Sequence, residues 1–203
     1  MKRKTIFQPH VDFEGGLKLQ SARSETQPKE NVKQMKQTPR SDAVQHYLDR
    51  GFEEICTDSG KGSRILINKA LCRAVKLNED RAYHEFVEFA RNNYSERFPE
   101  IFLHSLHKQE DQFPKYWFTL TEMEYLDPLS QKEAEQLITW YNKAVVGNRT
   151  SGKEDPFNLW PTLQSLKELA VSKGYNLDMG KATNYMIRNQ QGKRVVVVID
   201  PFD

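Results

Sequence analysis

Apolar positions along this chain of 203 residues change their spacing several times, and each change marks an element. Residues 1 to about 40 carry Lys, Gln, Ser, Glu and Pro, with little apolar signal outside Ile6-Phe7 and Val11-Asp12-Phe13. Such a segment buries too little surface to offset the entropy of ordering, so residues 1–40 are expected to form a flexible arm. From Ser41, a good N-cap, Ala43, Val44, Tyr47 and Leu48 repeat at helical spacing until Gly51 stops the helix. Strands follow at Phe52 to Thr57 and Arg64 to Ile67, around the turn Asp58-Ser59-Gly60-Lys61-Gly62-Ser63, and again at Cys72 to Leu77. Tyr83, Phe86, Val87, Phe89 and Ala90 predict a helix over Asp80 to Asn92. Two more strands, Pro99 to His107 and Tyr116 to Tyr125, flank the polar stretch Lys108 to Pro114.

After Asp127-Pro128-Leu129 the period becomes helical. Ser130 with Glu133 three residues on is a capping box, and Ala134, Leu137, Ile138, Tyr141 and Val145 form the stripe behind it. Residues 147 to 156 read as a solvated loop. A second helix runs from Leu159 to Lys173, with Pro161 in its first turn and Gly174 as its stop. Met186 to Arg188 and Arg194 to Ile199 then pair as a hairpin across Asn189-Gln190-Gln191-Gly192.

Composition narrows the function classes. A hydrophobic content of 37% in 203 residues supports one domain with a real core, or two small lobes sharing a cleft. The net charge of +2 is too mild to argue for nucleic acid or a membrane surface. No apolar run approaches the roughly 20 residues of a membrane span, and Met1-Lys2-Arg3-Lys4 precedes no signal-peptide core; a cytoplasmic, reducing compartment is expected. Cys56 and Cys72 lack metal-ligand spacing and are expected as buried small residues.

The candidate chemistry lies at two places. Gly60 and Gly62, in a strand-turn-strand setting, let backbone amides approach phosphate oxygens without a Cβ in the way. At the other end of the chain, the hairpin brings Asp178, Asn184 and Asp200 to one mouth, where they converge as oxygen ligands for Mg²⁺ and as a base. Lys76, between Val75 and Leu77 on a strand, points to the face opposite both of them.

These residues resemble the protein-kinase superfamily, in the spelling of the compact kinases of phages and bacterial effectors. Asp178-x5-Asn184 and Ile199-Asp200-Pro201-Phe202 look like the catalytic loop and the DFG element, with one residue more between Asp and Asn and with Pro-Phe in place of Phe-Gly. Gly60, Gly62 and Ser63 look like the Gly-rich loop, and Ala74-Val75-Lys76 like the strand whose lysine reaches the α- and β-phosphates. Met123-Glu124-Tyr125-Leu126 is similar to the hinge, which makes Met123 the gatekeeper and the backbone of Glu124 and Leu126 the adenine contacts. The helix over residues 80–92 becomes the one whose glutamate braces Lys76; Glu85 is preferred because Phe89 lies one turn beyond it, and Glu88 is the competitor. Lys181 resembles the catalytic-loop lysine that neutralises the transferred group.

The resemblance implies an α+β, minimal bilobal kinase-like fold: an antiparallel N-lobe sheet with its helix over residues 41–126, and a small, mostly helical C-lobe over 127–203. It implies ATP with Mg²⁺, or Mn²⁺ in its place, and transfer of the γ-phosphoryl group to Ser or Thr, ahead of Tyr, on a protein, with a host protein as one option should the chain be an effector. Asp178 would be the base, and Asn184 and Asp200 the metal ligands. A monomer is expected. Because Asp203 follows the metal-binding position so closely, no activation segment is expected, and substrate selection falls to the helices over 130–175 or to the arm. Two alternatives stay open: a pseudokinase binding module, and a small-molecule phosphotransferase of the aminoglycoside type.

Overall fold

The computed structural model describes residues 40–55, 62–109, 116–146 and 155–203. The expected arm, Gly60, Cys56 and most of the loop over 147–156 lie outside the described residues. Among those described, the chain is a mixed α/β fold with antiparallel sheets and four α-helices, compatible with the α+β class that the resemblance implied.

Helix α1 (Arg40–Asp49) leads into β1 (Glu53–Ile55), β2 (Arg64–Asn68) and β3 (Arg73–Asn78). Arg40 is already helical, so Ser41 is not the cap that its side chain suggested. Helix α2 (Arg81–Asn92) begins at Asp80, whose carboxylate accepts from the Ala82 amide, and β4 (Ile101–Gln109) and β5 (Tyr116–Glu124) complete a five-stranded sheet in the order β1-β2-β3-β5-β4.

Alternation along β3 assigns the two faces of this sheet. Val75 and Leu77 are fully buried and join Leu66, Leu120 and Phe118 against Ala43, Val44 and Tyr47 of α1. Ala74 and Lys76, opposite Met123 and Thr121 of β5, turn to the other face, where α2 packs. Period-two geometry predicts this separation of Lys76 from its neighbours, and the two core clusters follow it.

Past β5, Asp127–Pro128 is a two-residue strand, β6, that pairs with Ile187 and Met186 of the later hairpin; the sequence pattern marked it only as the point after which the period becomes helical. Helix α3 (Gln131–Tyr141) carries the expected capping box, in which Ser130 accepts from the Glu133 amide and Glu133 accepts from the Ser130 amide. A π-helical turn, Asn142–Val146, follows it. Helix α4 (Trp160–Lys173) ends on Gly174, whose φ of +74° is the left-handed cap a Cβ would oppose. The hairpin of β7 (Tyr185–Gln190) and β8 (Lys193–Val198) is longer than its apolar core suggested. Its Gln191-Gly192 turn has φ of +52° and +78°, as a primed two-residue turn requires.

The larger core runs without a break from α2 (Tyr83, Phe86, Val87) through α3 (Leu137, Trp140) and α4 (Leu163, Leu166) to the hairpin (Ile187, Val196, Val198) and Phe202. Helix α2 therefore has the five-stranded sheet on one side and the helical and hairpin elements on the other. Cys72 is exposed and has φ of +52°, a correction to the buried placement expected for it. The reason is local: its amide closes the turn from β2 to β3 on the Lys69 carbonyl, ahead of the strand and outside its packed part.

Candidate functional site

The site is built where the end of β8 meets the segment after α4. Residues 176–178 and 201–203 run antiparallel: Asn176 and Asp203 exchange backbone bonds, Leu177 bridges Phe202, and the Asp178 amide donates to the Pro201 carbonyl at 2.7 Å. Asp178 and Asp200 are thereby fixed at one end of the hairpin. The loop between Asp178 and Asn184 is closed on itself. The Asn184 side-chain amide donates to the Asp178 carbonyl, its backbone amide donates to the Lys181 carbonyl, and its carbonyl accepts from the Ile199 amide. Under that loop Met179 and Tyr185 are buried, and the Tyr185 hydroxyl donates to the Met179 carbonyl at 2.8 Å. Burial, with Tyr141 and the Asp178 charge adding to it, pushes the Tyr185 phenol well above its ordinary pKa.

Lys76 reaches this end from the sheet. Its Nζ donates to Asp200 Oδ2 at 2.6 Å, and the other carboxylate oxygen, Oδ1, is buried without a hydrogen-bond partner. Lys181 Nζ lies 2.5 Å from Asp178 Oδ2, and this hydrogen bond, followed by the Asp178 charge, raises the lysine's pKa; Asp203 and Asp200 act in the same direction from further away. Lys76 is thus brought to the side of the fold that carries Asp178, Lys181, Asn184 and Asp200, more than 100 residues further along the chain.

Glu85 is not part of that group, and here the structure corrects the sequence reading. Its carboxylate is paired with Lys173 of α4 at 2.8 Å. The buried stripe of α2 is Ala82, Tyr83, Phe86, Val87 and Ala90, and at about 100° per residue Glu85 lies about 130° from its centre. Phe89, which suggested an inward Glu85, is itself only at the flank of the stripe, partly buried. Glu88 is no substitute, being held by Arg91 at 3.1 Å and near His104 at 3.9 Å. The α2 residue that meets Lys76 is Tyr83, with the ammonium 4.0 Å from the ring centroid. Aromatic spacing on α2 was noted for packing, and nothing in it singled out Tyr83 as a partner of the lysine.

The remaining expected residues divide. Gly62 has φ of +76° and leads with half-buried Ser63 into β2; Gly60 lies outside the described residues. Met123 is buried opposite Ala74. Leu126 is buried at the junction between the two sheets. Glu124 is engaged within the fold, its amide on the Glu100 carbonyl and its carboxylate on Arg188 of β7, with Arg188 Nε 2.9 Å from Oε2.

Among the described residues no cluster of three or more His, Cys, Asp or Glu could hold a metal. The donor set does fit a magnesium ion of the kind bound by one or two protein groups together with phosphate oxygens and water. Asp200 Oδ1 is a buried carboxylate oxygen without a partner, and Asn184, its nitrogen spent on the Asp178 carbonyl, has only its side-chain oxygen left to offer. No family model matches this chain, and no curated protein does.

Proposed function

We propose that this protein is an ATP-dependent phosphotransferase with a minimal, bilobal kinase-like arrangement, acting on Ser or Thr hydroxyls, ahead of Tyr, of a protein. The observation that supports it most is the meeting of Lys76 with Asp200 at 2.6 Å, beside a second carboxylate, Asp178, whose loop is tied to Asn184. A cation from the sheet and two carboxylates from the far end of the chain, on one side of the fold, are what phosphoryl transfer needs: charge to position phosphates, oxygen to hold metal and a base.

In this reading Lys76 orients the α- and β-phosphates, and Gly62 and Ser63 bring backbone to them. Met123, Glu124 and Leu126 border the adenine. Asp200 and Asn184 hold Mg²⁺, or Mn²⁺ in its place, which when bound neutralises charge on the phosphate oxygens. Asp178 takes the hydroxyl proton; Lys181 occupies its Oδ2, so the other carboxylate oxygen is the one turned to the acceptor. The site of action is the cytosol, of a bacterium or of a host cell, and the protein acts as a monomer. No described helix is long and apolar enough to cross a membrane.

One observation favours a second reading, a nucleotide-binding module without transfer: no carboxylate of α2 braces Lys76, since Glu85 is paired with Lys173. Purified full-length protein with Mg²⁺, labelled ATP and a cell lysate separates the two. Mg-ATP at 100 times its dissociation constant is expected to stabilise the protein by about 2.7 kcal/mol, with label entering protein. Asp178→Asn is expected to keep that stabilisation and lose transfer by at least about 100-fold. Stabilisation without transfer selects the binding module, and label in metabolites alone overturns the protein-substrate part. Absence of any stabilisation overturns the whole reading.

A further inference from the structure

We infer that Tyr83 is the positioning residue for Lys76, and that it holds the lysine by the face of its ring where a helix carboxylate would hold it by charge. The inference rests on the reading that Lys76 serves phosphate. Tyr83 is buried, with 1% of its surface exposed, and its ring centroid lies 4.0 Å from the Lys76 ammonium. The negative face of an aromatic ring attracts an ammonium electrostatically, and one of the lysine's donors is on Asp200.

The surroundings of the ring are tied together by side-chain bonds. Thr121, whose side chain acts on the Tyr83 phenol, has its Oγ1 2.8 Å from His104 Nδ1. His104 Nε2 lies 2.8 Å from His84 Nδ1, and His84 is the next residue after Tyr83 on α2. Helix α2, at the residue next to Tyr83, is thus linked through β4 to β5. Burial, then the neighbouring His84 and Arg91 charges, lower His104 to about 3, so the link is made by a neutral imidazole. Lys76 and Thr121 are register partners across β3 and β5, so one pair of strands carries both the lysine and the anchor of its platform.

The test is a series of full-length proteins carrying Phe, then mono-, di- and trifluorinated Phe, at position 83. Fluorination weakens the ring's attraction for a cation while leaving its size nearly unchanged. Two readouts are taken: Mg-ATP affinity, and the rate at which the Lys76 amine is acylated in protein without nucleotide, followed by peptide mass spectrometry. Tyr83→Phe is expected to stay within about 3-fold of wild type in both, because the ring face is kept. Across the fluorinated series affinity is expected to fall stepwise, by about 10-fold in total, and Lys76 acylation to accelerate stepwise. A flat acylation series overturns the role of Tyr83. A graded acylation series with no Mg-ATP binding in any protein, wild type included, leaves the Tyr83 contact standing and overturns the phosphate role of Lys76. Tyr83→Leu, which removes the ring, must accelerate acylation at least as much as trifluoro-Phe in protein that retains the wild-type circular dichroism; a smaller effect overturns the inference.

Discussion

Lys76 on β3 and Asp200 just past β8 are joined at 2.6 Å across 124 residues of chain, so one ion pair ties the five-stranded sheet to the segment that follows the hairpin. Both side chains are mostly withdrawn from water, 11% and 28% exposed, and Asp200 has one oxygen already without a partner. Removing either partner strands the other. Lys76→Met and Asp200→Asn are each expected to cost about 2 kcal/mol, short of the 3–5 kcal/mol of a fully buried pair because Asp200 keeps some water. The double variant is expected to cost about 1 kcal/mol less than the sum of the two. Urea unfolding at pH 7 measures all three; strictly additive losses would show that the pair contributes no coupling.

A second link can be read by acid. Glu133 caps α3 through Ser130 and accepts two hydrogen bonds at 2.9 Å from Arg194 of β8. The Arg194 bonds first, then the Ser130 hydroxyl and amide, outweigh burial and bring its carboxyl down to about 2 from 4.5. A carboxyl lowered by folding lends stability above its unfolded pKa, and that stability is lost as pH falls. The window is therefore from about 4.5 down to about 2. At pH 7, Glu133→Gln is expected to cost about 1 kcal/mol, a figure discounted for the exposure of the pair. As pH falls from about 4.5 toward 2 the variant and the wild type should converge, and urea midpoints taken from pH 7 to pH 2 check this. A gap as wide at pH 2 as at pH 7 would place the contribution in packing instead of charge.

Arg188 is the busiest cation of the hairpin. It grips both oxygens of Glu124, donates to the Glu96 carbonyl at 2.6 Å, and donates to the Phe98 carbonyl at 2.8 Å. Glu124's hydrogen bonds, ahead of its charge, raise the guanidinium's pKa further. Lysine has the charge without the fork. Arg188→Lys is expected to cost about 1–2 kcal/mol and Arg188→Leu about 3 kcal/mol, since the latter leaves the Glu124 carboxylate with the Glu100 amide but no cation, and two carbonyls without the Arg188 donor. Hydrogen exchange should show the effect locally, as lost protection at Phe98 and Glu100; equal losses from Lys and Leu would reduce Arg188 to a point charge.

Local rules made several elements readable. Ser130 with Glu133, Gly174 after Lys173, the Val75-Lys76-Leu77 alternation and the Val195 to Ile199 run each carry their signal within a few residues, and each settled where it pointed. Failures came where the deciding partner is distant. Glu85 was placed by its own helix, yet the stripe that α2 buries is chosen by the sheet on one side and by α3, α4 and the hairpin on the other. Cys72 was expected inside because a free Cys without ligand spacing usually packs as a small apolar residue, but the turn that holds it lies outside the packed part of β3. The two residues of β6 carry no periodicity, and Arg188's carboxylate is 64 positions away. Of the candidate site, Lys76 and Asp200, which pair at 2.6 Å, could be singled out from their local spelling; the ring beneath Lys76 could not, because an aromatic on a helix face reads first as packing.

Phe202 links packing to the site, since it follows Asp200 by two residues and bridges Leu177, the neighbour of Asp178. It is 4% exposed, stacks on Tyr175 with ring centroids 6.0 Å apart, and meets Phe86 of α2 edge-on at 6.4 Å. Phe202→Ala is expected to cost about 3–4 kcal/mol, the loss of buried aromatic area together with the cavity left in a core that relaxes only in part. Phe202→Leu refills most of that space and should cost about half as much. The two variants also separate anchoring from bulk stability, because the strand pairing of 176–178 with 201–203 is what sets Asp178 beside Asp200. If Phe202 anchors that pairing, Phe202→Leu will show faster amide exchange at Asp178 and Asp203 than at core positions of α2 such as Val87. Uniformly faster exchange across all three would mean that Phe202 contributes to the core alone and that the carboxylates are held by the hairpin.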